Sequence, residues 1–274
     1  MNRHEEHDTE STELIAVPVT AIEAQTRAEV DIQISTAQKF PKHTTPQQLD
    51  RFRARAVALV TQTEDVAKSC LYSLPRQGKM ITGRSVRFAE LVVSAYGNIR
   101  AGSRIIEEGD TYLVAEGACH DLENNIYGST TVRRRITDKQ GRRYNEDMIT
   151  MTANAACAIA YRNAVYKVIP AAICDEAYQA AREKATGGKE SFVTRRAHAL
   201  EVFGLMGITP ERVLARLGKQ AVGDMAQEDL VTLIGLHNSI KAEETSPDDA
   251  FPETKAALMV KPSDLDGGED TNNA

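Results

Sequence analysis

The sequence predicts an α+β fold: an antiparallel meander of three to four strands flanked by helices, followed by a small C-terminal helical module. Three observations predict it. A capped apolar helix runs from Ser85 to Gly97. Beyond it the apolar period drops to two in the runs 99–106, 112–120 and 126–136. An alanine-rich stretch, Thr152–Ile169, then restores helical character. With 274 residues there is room for one medium domain and a smaller one.

Residues 1–40, rich in Glu, Asp, Thr, Gln and Ala, read as a mostly disordered leader in which Ile32–Ser35 is a candidate edge strand. Residues 41–186 read as the core. Thr45 as N-cap, Pro46 at the first helical position and Gln48 at the third form a capping box, and Leu49, Phe52, Ala56, Leu59 and Val60 make the stripe behind it. A second box, Thr61 to Glu64, opens a helix carrying Val66, Cys70 and Leu71 and ending near Pro75. Ser85 caps the next helix, with Phe88, Leu91, Val92 and Ala95 inward and Gly97 as the C-cap.

The strands follow, separated by turns at 107–110 and 123–125. In the third, Arg133 and Arg135 share one face and Arg134 takes the other. Asp138–Gly141 is a hairpin signal, with Arg142–Met148 as a short fourth strand. Thr152–Ile169 is apolar almost all round apart from Arg162 and Lys167. Those two lie five residues apart, about 140° around a helix, so they do not share one narrow face. A further helix reaches about Lys184, and Gly187-Gly188 reads as a joint to a helical module spanning 189–243. Its helices cover 191–206, a short stretch from Thr209-Pro210 to Gly218, and Glu228–Lys241. Residues 244–274 read as a disordered acidic tail.

No apolar run approaches the roughly 18 residues of a membrane span, and the polar, acidic start predicts no secretory signal. Cys70, Cys119, Cys157 and Cys174 are widely spaced, as reduced thiols of a cytoplasmic protein would be. The formal net charge of −6 is unevenly spread. Residues 76–196 hold 19 Lys+Arg against 14 Asp+Glu, a local +5, and the remainder holds 14 against 25. A basic middle in an acidic chain suits a polyanionic partner.

Enzyme signatures fail. Phosphate-loop, dinucleotide, zinc-protease, nucleophile-elbow and deaminase patterns are all missing, so no catalytic residue, metal or cofactor is expected. The positive signal is arginine: Arg84 and Arg87 at a helix entrance, Arg100 and Arg104 on one strand face, and Arg133, Arg134, Arg135, Arg142 and Arg143 around one hairpin. Forked donors match phosphate geometry, and neutralising phosphates releases counterions regardless of sequence. Tyr96, Tyr112, Tyr127, Tyr144, Tyr161 and Tyr166 are candidates for stacking on bases.

Thr82-Gly83-x-x-Val86, the helix ending Ala95-Tyr96-Gly97, the meander with its basic hairpin, and the alanine-rich helix with Arg162 and Lys167 together resemble phage and eukaryotic single-strand annealing recombinases. That superfamily includes the RecT, Redβ, Erf and Sak types, and the resemblance covers roughly residues 78–185. It implies single-stranded DNA bound in a basic groove, homo-oligomeric rings or filaments, and annealing without ATP in a bacterial host's cytoplasm. DNA contacts would then fall on Arg133, Arg135, Arg142 and Arg143 of the hairpin and on Arg162 and Lys167. The alanine-rich helix carries fewer charges than its counterparts in that superfamily. The segment from Phe203 to Arg212, continuing to Gly218 and Lys241, resembles C-terminal modules of phage recombination proteins, which implies contact with a host single-strand-binding protein or a partner exonuclease. Two other readings stay open on the residues alone: a nuclease-like DNA-processing enzyme, and a phage structural or assembly protein without a nucleic-acid role.

Overall fold

The computed structural model describes residues 19–76, 79–187 and 192–253. The architecture is α+β, with a three-stranded antiparallel sheet, a two-stranded hairpin, flanking helices and a C-terminal helical region. No helix among the described residues is long and apolar enough to cross a membrane.

The leader expectation fails for its second half. Val19–Lys39 is one helix (α1), and Ile32–Ser35 lies within it rather than in a strand. The stretch contains no Gly or Pro and is rich in Ala, Gln and Glu, so nothing breaks the helical ladder. Residues 1–18 lie outside the described residues. Helix α2 (Pro46–Val60) starts with the capping box expected at Thr45 and Gln48, and buries Phe52, Ala56 and Val60. The second cap is shifted: Thr63, not Thr61, accepts from the Val66 amide, and Thr61 closes α2 instead.

Helix α3 (Glu64–Ser69) is short, and the expected continuation to Pro75 is instead strand β1 (Leu71–Arg76), paired antiparallel with β2 (Lys79–Arg84). Ser85 caps α4 (Val86–Tyr96) by accepting from the Phe88 amide, and Gly97 ends it at φ +72°. The meander is β3 (Ile99–Glu108), β4 (Tyr112–Asp121) and β5 (Ile126–Arg135), in the order β3-β4-β5 with a bulge at Ile106. Asn125 takes φ +53° in the second turn, a conformation asparagine tolerates better than most residues. The fourth strand does not form. Arg142–Met148 contributes only a bridge from Arg143 to Thr137, because Asn145 caps a helix that starts at Glu146 rather than Thr152.

That helix, α5 (Glu146–Val168), lies directly on the sheet. A Cβ at Gly117 would overlap the Ala160 carbonyl, and one at Gly128 would sit 3.0 Å from Val168 Cγ2. These glycines thus serve packing within the chain, whereas Gly102 faces open space. Leu113, Ala115 and Cys119 of β4 point into the core beside α5. Helix α6 (Asp175–Thr186) completes the main core with Ala177 and Ala181. All four cysteines are free thiols. Burial pushes Cys70 and Cys119 up to about 12, which leaves them unreactive near neutral pH.

The C-terminal helices α7 (Phe192–Leu205), α8 (Pro210–Leu217) and α9 (Gln227–Lys241) enclose Phe203, Ile208, Met225 and Leu236. They do not hang from the core as a separate adaptor. Gly235 of α9 lies against the backbone of Tyr72 and Ser73, Asn238 donates to the Lys68 and Leu71 carbonyls (2.8 Å each), and Arg195 pairs with Glu64 at 3.3 Å. Gly188, half of the expected joint, lies outside the described residues. The acidic tail also begins in ordered form. Helix α10 (Pro247–Ala250) leads into Phe251, which is fully buried, because an aromatic side chain inserted beside Phe203 outweighs the polar composition around it. Residues 254–274 lie outside the described residues.

One buried polar cluster ties the α1–α2 corner to the β4–β5 turn. His43 Nε2 lies 3.1 Å from Asp121 and Nδ1 lies 3.1 Å from Glu123. The Lys42 amide and Asn98 donate to Glu123, and Asn124 donates to Asp121. Tyr96 packs against the imidazole, ring centroids 3.8 Å apart. Every member of the triad is buried.

Two stability predictions follow from this packing. Gly117→Ala is expected to destabilise the protein by about 1–3 kcal/mol, because α5 must move off the sheet, while Gly102→Ala leaves urea midpoints unchanged or slightly raised; equal midpoints for both variants would contradict the close approach. For Asp121, burial pushes the carboxyl up, but hydrogen bonds from His43 and Asn124 outweigh it and hold the value at about 2. A depressed folded value means stability present above the ordinary carboxyl range and lost as pH falls through about 4 to about 2, worth ~2 kcal/mol. Asp121→Asn should therefore melt lower than the parent at pH 6, with the gap closing toward pH 2 in thermal scans. A constant gap would remove the carboxylate's charge from the explanation.

Candidate nucleic-acid interface

Strand parity divides the arginines between two surfaces. Arg100 and Arg104 of β3, and Arg133 and Arg135 of β5, lie on the sheet face away from α5, beside Tyr112, Glu116, His120 and Tyr127. Arg104 pairs with Glu116 at 3.1 Å and Arg133 stacks 3.4 Å over the Tyr112 ring. Tyr127 is 60% exposed and meets His120 edge-on. Arg135 reaches a second cleft, of about 720 Å³, with Thr111 and Lys139.

The larger basic feature lies between the β1–β2 hairpin and the free edge of β5. This cleft of about 920 Å³ has Tyr72, Leu74, Pro75 and Ile81 on one wall and Thr131–Arg134 on the other. Five arginines line it: Arg76 from β1, Arg134 and Arg133 from β5 (the Arg133 guanidinium turned to the Tyr112 ring), Arg162 from α5 and Arg216 from α8. Glu244 and Asp249 oppose them. As an edge strand, β5 has backbone groups without a strand partner on this side.

The Arg162 side chain is only 12% exposed. It lies 4.2 Å from the Tyr72 ring centroid and 4.0 Å from the Glu244 carboxylate. At that distance the pair is not hydrogen-bonded, and Arg162 Nη1, Arg216 Nε and Glu244 Oε2 are all buried without a hydrogen-bond partner among the described residues. Burial raises the Glu244 carboxyl above its ordinary value, and Arg162 opposes that rise. A desolvated guanidinium donates strongly to an anionic oxygen.

The remaining expected residues are engaged elsewhere. Arg84, 19% exposed, bonds Asp175 and the Ala171 carbonyl and faces the Tyr166 and Tyr178 rings, so it clamps β2 to α6. Arg87 pairs with Glu90 at 2.8 Å. Arg142 pairs with Asp138 at 2.7 Å inside its own turn. Arg143 bonds Glu108 and the Gly109 carbonyl, clipping the β3–β4 turn. Lys167 donates to the Ser129 carbonyl at 2.7 Å. None of these five lines the cleft.

Sequence reasoning missed Arg76 and Arg216 and left Arg134 out of the site. Arg134 carried a usable signal, since strand parity set it opposite Arg133 and Arg135. Arg76 stands at a Gln77-Gly78 turn signal within a segment whose helical stripe was the stronger pattern. Of the tyrosines, Tyr96, Tyr161 and Tyr166 pack in or against the main core and are not stacking platforms. Among the described residues no group of three or more His, Cys, Asp or Glu side chains is placed to hold a metal ion. In comparisons with known proteins, no family model, no curated protein and no solved structure matches this chain.

Proposed function

We propose that the chain binds single-stranded DNA and anneals complementary strands without ATP, as a homo-oligomer acting in phage-type recombination in a bacterial cytoplasm. The observation that supports this reading is the arginine-lined cleft along the edge of β5, with the largely buried Arg162 in its lining. Arginines from four separate elements converge there, so the cleft offers donors along its length rather than one anion site. Phosphates bind in it independently of sequence. The walls Tyr72, Leu74, Pro75 and Ile81 present apolar surface to sugars and bases. Annealing forms and breaks no covalent bond. It requires a strand held by its phosphates with base edges free, and screening of the repulsion between two polyanions.

The test compares two double variants by oligo-dT anisotropy over a salt series, with annealing of complementary oligonucleotides followed without nucleotide. Arg76→Ala with Arg134→Ala removes two cleft contacts, and the slope of log K against log salt should fall by about 1.4. Arg100→Ala with Arg104→Ala, on the open sheet face, should leave that slope unchanged. The reverse pattern would move the binding surface to the sheet face, and failure of the parent to bind or anneal would refute the reading altogether.

A further inference from the structure

We infer that the acidic residues of the chain's own C-terminal tail dock in the arginine-lined cleft and compete there with nucleic acid, an inference that rests on the proposed role of that cleft.

Three observations converge on it. First, the chain itself delivers the tail to the cleft. After α9 the backbone turns at Glu243 (φ +57°), and Glu244, Thr245, Asp249 and Pro252 line the cleft. The segment is anchored there: Phe251 is fully buried against Phe203, and Arg212 Nε donates to the Phe251 carbonyl at 2.8 Å while its Nη2 bonds Asp248 at 2.9 Å. The last described residue, Glu253, thus leaves from the rim.

Second, a carboxylate already stands where a phosphate would. Glu244 faces Arg162 at 4.0 Å, yet Arg162 Nη1 and Arg216 Nε keep donors without a partner among the described residues, so one acid does not satisfy the site.

Third, the sequence beyond Glu253 supplies what is missing. Asp264, Asp266, Glu269 and Asp270 follow one another with no Lys or Arg after Lys261. The eleven residue-to-residue steps from Glu253 to Asp264 span at most about 38 Å, which puts these acids within range of a cleft whose rim is the tether point. A tethered ligand acts at an effective concentration of about millimolar, so even weak ion pairing occupies the site. Backbone amides aside, the groups that hold a carboxylate here are the ones that would hold a phosphate, and the two therefore exclude each other.

The test uses three full-fold chains: the parent, a chain ending at Ser263, and Asp264→Asn/Asp266→Asn/Glu269→Gln/Asp270→Asn at full length. All retain Phe251 and its anchors. Labelled oligo-dT should bind both altered chains about 3- to 10-fold more tightly than the parent at about 50 mM salt, and the difference should vanish near 300 mM as the pairing is screened. A labelled peptide of residues 254–274 should bind the shortened chain, and Arg134→Glu should weaken that binding. Equal oligo-dT affinities in all three chains at low salt would overturn the inference and leave the DNA reading standing. If no chain binds oligo-dT, the DNA reading falls, and the peptide titration alone decides whether the cleft takes the tail: saturable binding lost in Arg134→Glu upholds it, no binding overturns it.

Discussion

The depth to which α5 sinks onto β4 governs the rest of the molecule. Ala156, Ala160, Ala164 and Val168 recur every four residues, and Gly117 and Gly128 remove the side chains that would hold the helix off. Alanine against glycine buries little area per residue, so the contact relies on fit rather than bulk. Two consequences follow from one geometry. Two residues turn a helix by about 200°, so Arg162 emerges nearly opposite the Ala160 contact and projects beneath the β1–β2 hairpin. Lys167, a further five residues along, ends on the Ser129 carbonyl instead. With α5 and its neighbours on one face of the sheet, every alternate residue of β3, β4 and β5 is left on the other.

Local signals were legible where a short-range hydrogen bond decides the outcome. Thr45, Ser85 and Thr209 each cap the helix expected of them, and Gly97 and Gly218 close theirs with positive φ. The meander was legible because period two persists through all three strands. The β1–β2 hairpin was not. Val66, Cys70 and Leu71 continue a helical stripe, and what stabilises a strand there instead is α9, whose Asn238 binds the Lys68 carbonyl 170 residues away in sequence. The C-terminal helices looked separable because their link to the core combines contacts no local pattern announces: Gly235 and Asn238 against the hairpin backbone, and Val231 packed on Ala67, Leu71 and Ala185. Phe251 shows the opposite failure, one aromatic residue ordering a segment whose composition reads as tail.

Of the basic residues singled out as DNA contacts, only Arg133 and Arg162 line the cleft. Local net charge counted Arg84, Arg87, Arg142 and Arg143 as available, yet each is held by a carboxylate of the same chain: Asp175, Glu90, Asp138 and Glu108. Exposed pairs of this kind contribute little to stability, but they do lower the charge a ligand sees. Arg162 and Glu244 form a different case. Two largely buried groups 4.0 Å apart without a direct hydrogen bond recover less of their desolvation cost from each other, and both also meet Tyr72.

Under the proposed reading, the position of this buried pair sets what the protein can hold. The cleft runs between a hairpin and a sheet edge, both made of extended backbone, and an extended polyanion is the ligand whose repeat continues along such a wall. One protomer supplies only five arginines against two acids, so its own affinity for a short strand is modest. Annealing nevertheless needs many bases presented in line, and repeated weak contacts along one strand provide that when protomers bind side by side. Among the described residues both outer strands of the meander, β3 and β5, have an edge without a strand partner, which ordinarily must be covered or charged to prevent unwanted pairing. On β5 the covering is incomplete and the charge is positive, so the edge that resists pairing with another protein strand is the same one that attracts a nucleic-acid strand.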